Sequence, residues 1–179
     1  MAISTISQAG LNAPLSLTSP ALGTPSALVL TNATGLPQAG LGANVAGNGP
    51  AFSAYPSSNQ TLTTGVLTKI LFQTEEFDTN SNFASSRFTP TVAGYYQVQV
   101  AVGQSTSTTA TQAAIFKNGT LYKRVVFRPT DSSAEVVALV SCNGSTDYIE
   151  GYGLLIGTTP ATTSASDQTF FQACLVRSA

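Results

Sequence analysis

Residues 77–96 read FDTNSNFASSRFTPTVAGYY, and this stretch decides the fold. Its aromatics, Phe77, Phe83, Phe88, Tyr95 and Tyr96, are split by Pro90 and Gly94. That spacing describes two strands joined across a sharp corner, because proline cannot donate to a sheet ladder and glycine permits close backbone approach. After Gly94 the pattern alternates. Tyr96, Val98, Val100 and Val102 share one side of a strand, and Tyr95, Gln97, Gln99 and Ala101 share the other. The valine side is the core of a sandwich. The second side is uncharged and headed by a tyrosine. It is too greasy for plain solvent and too polar for a core, which suits a subunit interface.

The same texture runs outward from Ala51 to the end of the chain. Short β-type runs at Ala51–Tyr55, Thr68–Gln73, Gly94–Gly103, Gln112–Lys117, Leu121–Phe127, Glu135–Cys142, Asp147–Leu155 and Gln168–Val176 are bounded by turn residues. Asn118-Gly119 is a strong hairpin signal, and Asn143-Gly144 makes a similar break. No segment carries a helical period. In the last strand Phe171, Ala173 and Leu175 face one way, and Phe170, Gln172 and Cys174 the other. The expected class is all-β, a sandwich or jelly roll of antiparallel strands.

Residues 1–50 differ. They contain no charged residue, the first in the chain being Lys69, and carry prolines at 14, 20, 25, 37 and 50. Those prolines forbid a long helix or a central strand. Leu15, Leu17, Leu22, Leu28, Val29 and Leu30 are apolar enough to want burial. An extended anchor, ordered by packing against sister chains or a larger scaffold, is the expectation. Residues 51–179 then form a separate knob. Gln8-Ala9-Gly10-Leu11 recurs as Gln38-Ala39-Gly40-Leu41, but two copies do not establish a repeat.

Composition narrows the function. The 179 residues are only 8% charged, with net charge −1 and no histidine or tryptophan. A typical soluble domain is about 25% charged. Nothing electrostatic favours nucleic acid. No apolar run approaches the roughly 18 residues of a membrane span, and the N-terminus lacks a signal-peptide pattern. Synthesis in a cytosol and incorporation there are expected. Surfaces poor in charge suit tight assembly, since fewer charges must be desolvated.

Residues 51–179 resemble a globular head of the complement one-q and tumour necrosis factor superfamily. The pieces that carry the resemblance are Ala51-Phe52-Ser53-Ala54, Phe77-Asp78, Phe88-Thr89-Pro90, Gly94-Tyr95-Tyr96, Lys117-Asn118-Gly119 and Thr169-Phe170-Phe171, in order and at fitting spacing. Ala173 departs from the pattern, where the family often has glycine. The resemblance implies a jelly roll of about ten strands, a compact homotrimer and no catalysis. It places Tyr95, Gln97, Gln99, Phe170 and Gln172 near the threefold axis. A second resemblance covers Leu17–Leu28 and Thr31–Pro37, whose wording is similar to bacteriophage fibre and virion surface proteins.

Chemical motifs are sparse. Without histidine no Ser–His–Asp or Cys–His unit exists. Glu75, Glu76 and Asp78 cluster, as do Asp147 and Glu150, but adjacent strand residues point to opposite faces and make poor catalytic pairs. Asp78, Asn80 and Asn82 offer oxygens at alternate positions for a cation, or else turn chemistry. Asn32, Asn59, Asn118 and Asn143 begin Asn-x-Ser/Thr triplets, and Lys123, Arg124 and Arg128 form a basic cluster on a strand edge. Cys142 and Cys174 leave a disulfide open. No catalytic residue, cofactor or metal is expected. The expected product is a trimeric virion surface protein assembled in the host cytoplasm. Residues 1–50 would anchor it to a major capsid protein or other virion scaffold as capsid cement or head fibre. The alternative is a tail-fibre tip that binds a host receptor through knob loops; exposed Tyr or Asn clusters after Gly103 and Gly157 would support it, but both loops are rich in Ser and Thr and poor in aromatics, which speaks against a sugar platform.

Overall fold

In a computed structural model of the chain, the described residues are 49–125 and 133–179. Leu15, Leu17, Leu22, Leu28 and Leu30 of the expected anchor lie outside them, as do Arg128 and the end of the Leu121–Phe127 run. Eleven strands occur among the described residues: β1 (Ala51–Tyr55), β2 (Thr68–Lys69), β3 (Thr74–Asp78), β4 (Phe83–Ala84), β5 (Arg87–Phe88), β6 (Ala93–Gly103), β7 (Thr108–Lys117), β8 (Thr120–Arg124), β9 (Ser133–Asn143), β10 (Ile149–Gly157) and β11 (Phe170–Ser178). They form two antiparallel sheets, a jelly-roll sandwich. One sheet runs β3-β1-β11-β6-β9 and the other β4-β5-β10-β7-β8, with β2 also on β10.

Alternation decides which side chains meet between the sheets. Tyr96, Val98, Val100 and Val102 of β6 are fully buried, as are Phe171 of β11 and Ile149 and Leu155 of β10. Phe52 of β1 is the hub. Its ring stacks on Phe83 at 4.5 Å and Phe88 at 4.6 Å and meets Phe171 edge-on at 4.8 Å. The corner in residues 77–96 thus delivers Phe83 and Phe88 to one aromatic cluster. Asp78 holds its start, accepting from the backbone N–H of Phe83 at 2.7 Å and of Asn80 at 3.3 Å. Tyr96 closes it, donating its hydroxyl to the Val92 carbonyl at 2.6 Å. Gly94 is required, because a Cβ there would collide with the Arg177 carbonyl of β11.

Most boundaries shift by a residue or two, and three differences from the sequence expectation have a physical cause. The strand expected at Thr68–Gln73 shrinks to β2, and beyond it Ile70 and Phe72 are buried in the core, the Ile70 N–H still donating to the Gly151 carbonyl. Glycines on β10 make room for them. A Cβ on Gly153 would sit 2.9 Å from Ile70, and one on Gly151 would sit 3.0 Å from Phe72. Strand β3, an acidic cluster in the sequence, is an edge strand on which Glu75, Glu76 and Phe77 are all exposed, so it needs no apolar alternation. Strand β7 begins at Thr108, four residues before the expected Gln112, since Thr and Ala there mimic loop composition while pairing with Leu155–Gly157.

Candidate assembly face

The outer face of the five-stranded sheet is where the sequence placed its tyrosine and glutamines. Register aligns them in rows. Cys174 lies opposite Gln97, which lies opposite Leu139; Gln172 lies opposite Gln99, which lies opposite Val137. Phe170, Ala101 and Glu135 form the next row. On the other flank Ala51 faces Cys174, Ser53 faces Gln172, and Phe77 of β3 faces Ser53. Tyr95 and Gln97 are exposed, and Gln99, Phe170 and Gln172 are half-buried. All five sequence-selected residues therefore share one surface.

Two features of this surface are uncommon for an ordinary solvent face. First, the amides are linked. Gln172 Nε2 donates to Gln99 Oε1 at 2.5 Å, and Gln99 Nε2 donates to Glu135 Oε1 at 2.6 Å, a polar line across three strands. Second, large apolar side chains flank that line. Phe77 is 51% exposed, Tyr95 48%, Val137 51%, Leu139 61% and Val176 56%. These are five of the ten exposed large hydrophobics among the described residues, gathered on one sheet, whereas scattered single ones would need no explanation. A shallow hollow of about 220 Å³ opens between the flanks, lined by Ala51, Phe77, Gln97, Gln99, Gln172 and Cys174.

Sequence reasoning missed Phe77, Val137 and Leu139. A usable signal existed for the last two. Val136-Val137-Ala138-Leu139-Val140 is apolar at every position, and a strand without alternation is one covered on both faces. Phe77 carries no such signal, being a single aromatic among acids.

The cysteines occupy opposite sides of this sheet. Cys142 is buried, and burial pushes its thiol up to about 11. Cys174 is exposed on the outer face. One chain therefore does not bridge them. Of the other sites weighed from sequence, Asn32 and Arg128 lie outside the described residues, and several of the rest are engaged in structural bonds. Asn82 Oδ1 accepts from the Thr91 N–H, and Asn143 Oδ1 accepts from the N–H groups of Ser145, Thr146 and Asp147, as turn chemistry requires. Glu76 accepts from the Ser53 hydroxyl. Asp147 pairs with Lys117 at 3.0 Å. Lys123 and Arg124 lie on the exposed strand β8.

The opposite sheet carries a smaller polar feature. Glu150 is 4% exposed and pairs through one oxygen with Lys69 at 2.8 Å and Arg87 at 2.9 Å. Burial raises its carboxyl, but the two cations more than offset that and hold it below its ordinary range. The Arg87 guanidinium also lies over the Tyr148 ring at 4.0 Å. A groove of about 490 Å³ beside this cluster is lined by Lys69, Asn82, Arg87, Thr91 and serines 81 and 85.

No protein-family model matches the chain, and no curated protein matches it. Among solved structures it is similar in fold to the globular domain of zebrafish complement 1qA protein. That likeness has TM-score 0.55 and 15% identity, covering 73% of this chain and 99% of the other. It is also similar to murine APRIL, at TM-score 0.56 and 12% identity, covering 72% and 99%. PRD1 vertex protein P5 follows at TM-score 0.49 and 12% identity, covering 74% and 100%, a level that adds nothing to the assignment. At these identities the likeness establishes the jelly-roll fold and nothing finer.

Proposed function

We propose that this chain is a non-enzymatic structural protein of a virion surface, a homotrimer built on the outer face of the β3-β1-β11-β6-β9 sheet. The observation that carries the reading is the clustering of Phe77, Tyr95, Val137, Leu139 and Val176 on one face crossed by an amide line. Five strands span about 19 Å and an eleven-residue strand about 36 Å. The face therefore offers about 700 Å², close to the roughly 800 Å² per partner of a stable interface. Apart from Glu135 and Arg177 at its margins, its tyrosine, glutamine and aliphatic groups can be desolvated at little cost compared with ions.

The virion assignment rests on the resemblance of residues 17–37 to phage fibre and surface proteins, and on the charge-free aliphatic arm. Capsid decoration, as cement or head fibre, is favoured over a distal fibre because the arm passes almost directly into the knob near Gly47–Pro50. The arm's partner would be the major capsid protein or another virion scaffold. Electron microscopy of intact particles tests this: knob density on the head supports it, and density only at the tail tip overturns it. A receptor-binding tail tip is the second reading. One observation favours it, the polar groove beside Arg87 on the sheet opposite the assembly face. Particles lacking the protein that stay intact but no longer adsorb would establish that reading.

A further inference from the structure

The face proposed for assembly is uneven, with a projection and a recess at different places. Its most exposed apolar side chain, Leu139, stands on β9 at one flank, with Val137 beside it on the same face. Its hollow opens toward the other flank, between Gln97 of β6, Cys174 of β11 and Phe77 of β3. A projection and a recess at different places on one surface are both filled when the projection of each copy enters the recess of another, either reciprocally in a twofold pair or in sequence around a ring; the trimer reading selects the ring.

We infer that Leu139 of one copy seats in the hollow of its neighbour, between Phe77 and Cys174, and that three such contacts close the ring. This rests on the assembly reading above and adds to it the contact and its direction. Size fits, since a leucine side chain occupies only part of a 220 Å³ hollow and leaves space for Val137 to lean on its rim. Chemistry fits also. The hollow is lined by two phenylalanines, two alanines, a cysteine and three glutamines, with no charged residue. Two of its three glutamines, Gln99 and Gln172, are held by each other and by Glu135, so that part of the wall is set before the partner arrives.

Cys174 is a built-in reporter of this contact. Within one chain Leu139 and Cys174 are separated by the whole of β6, since both lie opposite Gln97. Two strand spacings are about 9.6 Å, beyond the roughly 7 Å that a disulfide tolerates between Cα atoms. A disulfide from Leu139→Cys to Cys174 must therefore join two copies. The full chain carrying Leu139→Cys is oxidised mildly, run on a denaturing gel without reductant, and its mass in solution is measured in parallel. The expected result is a ladder that ends at covalent trimer. Adding Cys174→Ser should abolish it, and Val66→Cys, exposed on a distant loop, should not produce it. A trimeric mass without the cross-link overturns the contact and leaves the trimer standing. A ladder ending at dimer with dimeric mass shows a twofold exchange and overturns the ring. A monomeric mass overturns both readings.

Discussion

At the residue scale, stability concentrates in a few groups that have no water to fall back on. Phe52 contacts three other aromatic rings, so Phe52→Ala leaves a void the sheets cannot collapse around. The expected loss is about 3–5 kcal/mol, read as a lowered denaturant midpoint. Two sets of ionisable groups define the pH window. Tyr96 is pushed up to about 12, by burial first and by nearby Cys142 second, and Cys142 to about 11. Both fold better protonated than ionised. Their contribution is therefore complete below about pH 9, the ordinary value of a thiol, and is lost as pH rises toward 12. Asp147 is held low by hydrogen bonds from Asn118 and Lys117, and Glu150 by Lys69 and Arg87 against the opposing effect of burial. Those contributions are complete above the ordinary carboxylate range and fall away in acid. Thermal melts across pH should show both limbs. Glu150→Gln should flatten the acid limb, and Cys142→Ala the lower part of the alkaline one. Unchanged limbs in these variants would count against the assignment of both groups.

At the element scale, β6, β9 and β11 each have two tasks, one per face. The inward rows make the core, and the outward rows make the surface proposed for assembly. The tasks are separable because successive side chains point to opposite sides. Tyr95→Asp or Phe170→Asp should therefore give a monomer whose β-sheet circular dichroism is intact. Persistence of trimer mass in either variant would refute the axis assignment. Phe171→Asp, one residue along β11, should instead unfold the chain, since Phe171 is fully buried. How well an element was legible follows the same division. Strand β6 alternates valine with glutamine, so its two faces could be read from the sequence. Strand β9 is apolar on both, so its outer row was hidden in what reads as core. Strand β3 is acidic, so its pairing with β1 leaves no mark in hydropathy.

At the scale of the whole molecule, the knob and the arm are expected to divide assembly from anchorage. Deleting residues 1–50 should leave a soluble trimer that no longer joins the particle, checked by mass in solution and by co-sedimentation with virions. A truncated chain that is monomeric or unfolded would sink that two-part division. The loops after Gly103 and Gly157, weighed as receptor contacts under the tail-tip alternative, brace each other. Ser105 donates its N–H to the Ala161 carbonyl and Thr163 to that of Gly103. Those backbone groups are thus already engaged and are not free for recognition.

Taken by itself, the sequence determined the class of the fold, the corner through residues 77–96 and the inward valine row of β6. These follow from local rules: proline and glycine limit the backbone, and a period of two assigns faces. Only the tertiary structure decided what lies beside what. It brought Phe77, Gln97 and Cys174, far apart in the chain, around one recess, and it put Cys142 and Cys174 on opposite sides of one sheet. Strand register across β1, β11, β6 and β9 sets those neighbours, and register is a property of paired strands that no single strand encodes.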